Sequence, residues 1–142
     1  GEDKVYQRGN DDGIIIFKGW KICLRICYDL RFPVWSRNTQ DYDLLIYVAN
    51  WPKPRISAWD TLLKARAIEN MSYVAGVNRC GEDSKGNDYP GHSAIYDALG
   101  NCISGDLSSG TKNVSASIDY QELQARRKKL RFLEDRDNFE MY

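Results

Sequence analysis

Apolar and polar positions alternate with period two from Lys21 to Cys27, placing Ile22, Leu24 and Ile26 on one face and Cys23 and Cys27 on the other. With Ile14 to Phe17 before it and Gly19 between, this stretch predicts a β-hairpin. "DLLIYVAN" (43–50) and "YVAGVN" (73–78) are nearly continuous apolar runs, the pattern of strands covered on both faces. Between them "SAWDTLLKARAIENMS" repeats Trp59, Leu63, Ala67 and Met71 at helical spacing, with Ser57 and Asp60 as a capping pair. Further on, "GEDSKGNDYPG" reads as a polar loop, and "HSAIYD", "NCISG" and "NVSASID" read as strands. A last helix begins at Asp119, with Glu122 three residues on. This order predicts an α/β (α+β) fold in which helices layer over a sheet. Two strands buried on both faces require a second covering layer.

Composition narrows the class. At 142 residues the chain is a single domain, residues 1–142, or part of one. Twenty basic residues balance twenty acidic ones, so no net field favours nucleic acid or an anionic membrane. The basic "ARRKKLR" is followed at once by acidic "LEDRDNFE" and reads as a solvated helix end. No apolar run approaches the roughly 20 residues of a membrane span, and no signal peptide is visible.

Cys23 and Cys27 would sit roughly 13 Å apart along a strand, whereas a disulfide needs less than about 7 Å. With no C-x-x-C pair and His92 the single histidine, a zinc site is poorly supported. Four unpaired thiols fit a reducing compartment, the cytoplasm.

Cys27 carries the candidate chemistry. A strand cysteine is more often a small buried hydrophobe than a nucleophile. "C-Y-D-L-R-F-P" changes those odds: an apolar strand ends at Cys27, polar residues follow, and Pro33 is set to start a helical turn. At such a strand-to-helix turn the next backbone N–H, that of Tyr28, can point at a developing oxyanion. Asp29 and Arg31 are placed to pair and brace the turn. The thiol also needs a proton acceptor. His92, Glu2 and Glu69 are the candidates; a structural hydrogen bond for His92 and an ion pair of Glu69 with Arg31 or Arg66 are the ordinary alternatives.

"GWKICLRICYDLRFPVWSRN" resembles the nucleophile segment of the nitrilase superfamily, the carbon–nitrogen hydrolases, and in particular its bacterial omega-amidase branch. "DYDLLIYVANWPKPR", "LLKARAIENMSYVAGVNRCG" and "GHSAIYDALGN" continue the resemblance in the same order over nearly all of the chain. It implies a cysteine nucleophile, matched by Cys27, a glutamate base, a lysine that stabilises the tetrahedral intermediate, and a second, substrate-positioning glutamate. Glu2 is similar to that second glutamate. Asn50 and Trp51 match the loop beside the pocket.

The base and the lysine belong upstream in the family, and none of Lys4, Lys18 or Lys21 has the lysine's context. The resemblance therefore implies the C-terminal half of a four-layer αββα nitrilase-type sandwich, joined by the N-terminal half of the same domain and paired into a homodimer. It implies hydrolysis of small-molecule omega-amides such as 2-oxoglutaramate with neither metal nor organic cofactor. A nitrilase or N-carbamoyl amidohydrolase on the same scaffold, or a noncatalytic fragment, are the rival readings.

Overall fold

The hairpin forms as the alternation predicts, closing through Lys18 and Gly19, both at positive φ (49° and 84°). A computed structural model describes residues 4–7, 9, 11–105, 110 and 113–137. Among these the chain runs β1 (Ile14–Phe17), β2 (Trp20–Ile26), a 3-10 turn (Cys27–Arg31), α1 (Pro33–Ser36) and β3 (Leu44–Ala49). It continues through a second 3-10 turn (Lys53–Arg55), α2 (Ile56–Asn70), β4 (Tyr73–Asn78), β5 (Cys80–Glu82), β6 (Asp88–Pro90), β7 (Ala94–Tyr96) and α3 (Tyr120–Leu130). The sheet order is β1-β2-β3-β4-β7, with β2, β3 and β4 parallel and both edges antiparallel. Parallel neighbours need crossovers, and α1 and α2 lie in the two connections. The expected α/β class holds.

α2 covers one face. Its stripe of Trp59, Leu63 and Ala67 is fully buried with Cys23, Leu45, Tyr47 and Val74 of the strands. Gly76 lets the helix approach: a Cβ there would lie 2.3 Å from Leu63 Cδ1 and 2.8 Å from Trp59 Cζ2. The opposite face carries Ile22, Leu24, Ile26, Leu44, Ile46, Val48, Tyr73, Ala75 and Val77 in register. At its lower end Trp20, Leu44 and Tyr73 join Leu123 of α3 in a second apolar cluster. Toward the strands' C-terminal ends it is open, with Ile26 67%, Val48 48% and Val77 51% exposed. Burial on both faces, expected for 43–50 and 73–78, is thus met on the α2 side and at the α3 end of the other face; the apolar upper half of that face has no cover among the described residues.

Several local expectations change. Ser57 and Asp60 do not cap α2, because the Lys53–Arg55 turn feeds into the helix with Arg55 at the N-cap, and Asp60 is engaged by His92. The polar loop 81–91 contains the β5–β6 hairpin, whose turn is organised by Asp83 accepting from Lys85 N–H, Asn87 N–H, Asn87 Nδ2 and Tyr89 Oη. "NCISG" contributes one isolated bridge, Cys102 to Tyr96, and residues 113–119 form no strand. A strand exists only where a neighbour takes its hydrogen bonds, and neither segment has a continuous one.

Asp119 caps α3 as expected, its Oδ1 accepting from Glu122 N–H at 2.9 Å. The basic end of α3 is less solvated than its sequence suggests. Arg127 is half-buried and donates to Asp43, Tyr42 O and Met71 O, fastening α3 beneath the sheet. No helix among the described residues is long and apolar enough to cross a membrane.

Candidate active site

Cys27 follows the last residue of β2, at the C-terminal end of the parallel strands, and its backbone is left-handed at φ 42°. That region is unfavourable for a residue with a Cβ, costing roughly 1–2 kcal/mol. The surrounding turn has to hold it. Asp29 accepts from Ile26 N–H at 2.9 Å, tying the start of the turn to the strand end, and Phe32 N–H closes onto Asp29 O at 3.0 Å. The first N–H groups of a helical turn have no partner within it. Tyr28 is among them, in the first turn of this 3-10 segment. The Tyr28 ring is exposed and edge-on to Phe32.

Asp29 therefore braces the turn, as expected, but through the Ile26 amide instead of Arg31. Arg31 lies with its guanidinium 4.9 Å from the centroid of the Trp51 ring, a stacking arrangement favoured by the π-face. That contact brings the cysteine turn against the loop after β3. Trp51 is buried in the core cluster against which Cys27 packs, and its indole N–H donates to Arg55 O at 2.7 Å. Asn50 is exposed and lines a cleft of about 350 Å³ with Lys53, Arg55, Asn87, Asp88 and Tyr89; Cys27 is not among the described residues lining it. Glu2 lies outside the described residues.

The other thiols stand in different settings. Cys23 is fully buried, and burial pushes its thiol pKa up, which keeps it protonated and inert. Cys80 and Cys102 donate to the carbonyls of Gly110 and Gly105. All four cysteines are free, and no cluster of metal-ligating side chains occurs among the described residues. His92 Nδ1 sits 3.0 Å from Asp60, and Glu69 pairs with Arg66 at 3.0 Å, the ordinary roles anticipated for both.

Two residues shape this end of the sheet, one that sequence reasoning passed over and one that it named only as an ion-pair partner of Glu69. Asn78, the last residue of β4, accepts from Trp51 N–H at 2.7 Å and donates to Trp51 O and Gly91 O. It pins the Asn50–Trp51 loop to the β6–β7 connection, and a polar residue ending an apolar strand was the available signal. Asn78→Ala should destabilise the protein by about 2–3 kcal/mol, since the Trp51 amide and both carbonyls lose buried partners. A urea midpoint unchanged within error would refute that role. The second is Arg66, an arginine on the buried stripe of α2.

The sequence profile described as carbon-nitrogen hydrolase matches residues 2–128. The chain is 48% identical over 139 residues to omega-amidase YafV of Yersinia enterocolitica, covering 98% of this chain and 54% of that protein. It is 42% identical over 117 residues to the 2-oxoglutaramate amidase of Bacillus subtilis, covering 80% and 44%. Its fold superposes with a TM-score of 0.88 on XC1258 of Xanthomonas campestris, a CN-hydrolase superfamily protein solved with an arsenic adduct in its active site. The identity there is 39%, with 96% of this chain and 54% of that one covered. The chain thus spans about half the length of the curated relatives it matches.

Proposed function

Because the chain belongs to the carbon–nitrogen hydrolase family, we propose that it carries the nucleophile of an omega-amidase, with Cys27 attacking the terminal amide of a small dicarboxylate monoamide such as 2-oxoglutaramate. The observation that carries this reading is the left-handed Cys27 at the head of a 3-10 turn, on the C-terminal end of a parallel strand. A strained conformation at such a place serves to present a side chain. The names of the similar omega-amidase and 2-oxoglutaramate amidase support the substrate class.

The chemistry runs in two halves. A glutamate outside residues 1–142 removes the Cys27 proton as sulfur bonds to the amide carbon. The resulting oxyanion is held by Tyr28 N–H and by a lysine, also outside this chain; one such donor is worth about 3–4 kcal/mol. The glutamate passes its proton to the amide nitrogen, the C–N bond breaks, and ammonia leaves a thioester on Cys27. Water, deprotonated by the same glutamate, then cleaves the thioester to the carboxylate and free thiol.

Glu2 orients substrate or lysine, and Asn50 and Trp51 form the pocket wall. Glu2→Gln should lower kcat strongly while leaving substrate binding in place; a normal kcat would remove Glu2 from the site.

The open sheet face supports a companion layer. Ile26, Val48 and Val77 present to water a surface of the kind that a second sheet covers. We assign that cover to the N-terminal half of the same domain, which also brings the base and lysine, and we expect the complete protein to pair as a homodimer through a helical face in the cytoplasm. Residues 1–142 expressed alone should aggregate or lack cooperative unfolding, and should hydrolyse no amide. A soluble, cooperatively folding, active monomer would overturn the companion.

The direct test of the activity is ammonia release from 2-oxoglutaramate by the complete protein, with acid quench and mass spectrometry of the Cys27 peptide. An acyl adduct on Cys27 is expected. Turnover of nitriles or N-carbamoyl amino acids, but not omega-amides, would refute the substrate class.

A further inference from the structure

We propose that Arg66 is a positioning residue for the nucleophile, acting from α2 on the turn that holds Cys27. Its side chain is 4% exposed. Taking such a charge out of water costs several kcal/mol unless its donors are used. One terminal nitrogen donates to the carbonyl oxygen of Leu30, inside the Cys27–Arg31 turn, and the other to Glu69 Oε1 at 3.0 Å. Nε–H is buried with no partner. An orphaned buried donor is rare and asks for a reason. An apolar side chain on this stripe would avoid both the buried charge and the orphan, but would leave the Leu30 carbonyl unheld.

The geometry supplies that reason. Leu30 lies three residues after Cys27, its side chain fully buried. The braces already described, Asp29 to Ile26 and Phe32 to Asp29, are both local to the turn. Arg66 adds an anchor 36 residues away in sequence, on the helix that covers the sheet. That anchor is itself held. Asn70 Nδ2 donates to Arg66 O, Arg37 donates to Glu69 O at 2.8 Å, and Asn38 N–H donates to Asn70 Oδ1 at 2.8 Å. A charge-assisted bond to the turn's carbonyl therefore fixes the turn to a rigid element. Cys27 and the Tyr28 N–H move with it. Displacing reacting groups by about 1 Å costs on the order of 100-fold in rate, so a loosened turn lowers kcat. Substrate affinity, set by other parts of the pocket, changes little.

This inference rests on Cys27 being the nucleophile, and the experiment separates the two. The complete protein is assayed as Arg66→Lys, Arg66→Gln and Cys27→Ala, with folding checked by circular dichroism and urea unfolding. Lysine keeps a cation for Glu69, but its single ammonium cannot span Glu69 and Leu30 as the planar fork does. Arg66→Lys should lose about tenfold in kcat and Arg66→Gln about 100-fold, with KM within about threefold of the parent in both. The acylation burst should slow by the same factors. Should Arg66→Gln fail to fold, Arg66→Lys is the variant that decides. A folded Arg66 variant with parental kcat, or with only KM raised, overturns the positioning role when Cys27→Ala is inactive. Activity in Cys27→Ala would instead refute the nucleophile, and the positioning role with it.

Discussion

Cys27→Ala should lower amide hydrolysis by about four orders of magnitude or more while leaving the protein folded. Removing a nucleophile costs on this scale, because binding and oxyanion stabilisation alone leave only a residual rate. The same position yields a stability comparison that activity assays cannot. At φ 42° a Cβ is strained, and glycine is not. Cys27→Gly should therefore be more stable than Cys27→Ala by about 1 kcal/mol in urea unfolding, with both inactive. Such a gain would mark Cys27 as a residue kept against local stability for its thiol. Cys23→Ala, Cys80→Ala and Cys102→Ala should keep most of the parental turnover, since these thiols are buried or bonded to carbonyls away from the turn. Full activity in Cys27→Ala would end the proposed mechanism.

Trp59→Ala should be the most destabilising single core truncation, costing about 3–5 kcal/mol. The indole is fully buried, lies tilted against Trp51 with ring centroids 5.6 Å apart and donates to His92 O at 2.9 Å. It also fills the notch over Gly76, where no side chain can enter from the strand. Its loss leaves a cavity that the sheet cannot close and removes the indole donor to His92 O. Against a total stability of about 5–15 kcal/mol, that brings the protein near its unfolding threshold. Urea unfolding of the complete protein at 25 °C checks it, and a loss below about 1 kcal/mol would show that neighbouring side chains fill the space. Turnover should fall as well, because Trp51 and the Asn50 loop rest on Trp59.

What the sequence determined by itself was the set of features encoded within a few residues. The period-two run at 21–27, the apolar strands near 43–50 and 73–78, the Trp59–Leu63–Ala67 stripe and the Asp119 cap all depend on contacts between residues two to four apart. The place of Cys27, after a strand and six residues before Pro33, was legible for the same reason.

Tertiary structure decided everything that needs a distant partner. Ser57 and Asp60 have a capping spacing, yet the preceding 3-10 turn supplies the helix start and His92 takes the carboxylate. Residues 101–105 and 113–119 have strand composition, but only a neighbouring strand can satisfy their backbone. Arg127 belongs to a basic run that reads as solvated and proves to be half-buried and paired with Asp43, 84 residues away. The left-handed backbone at Cys27 and the bonds from Arg66 and Asn78 are of this kind too. Asn78 reaches Trp51, 27 residues away, and Arg66 reaches Leu30, 36 residues away, and no local periodicity records a hydrogen bond between positions that meet only when the sheet and α2 pack together.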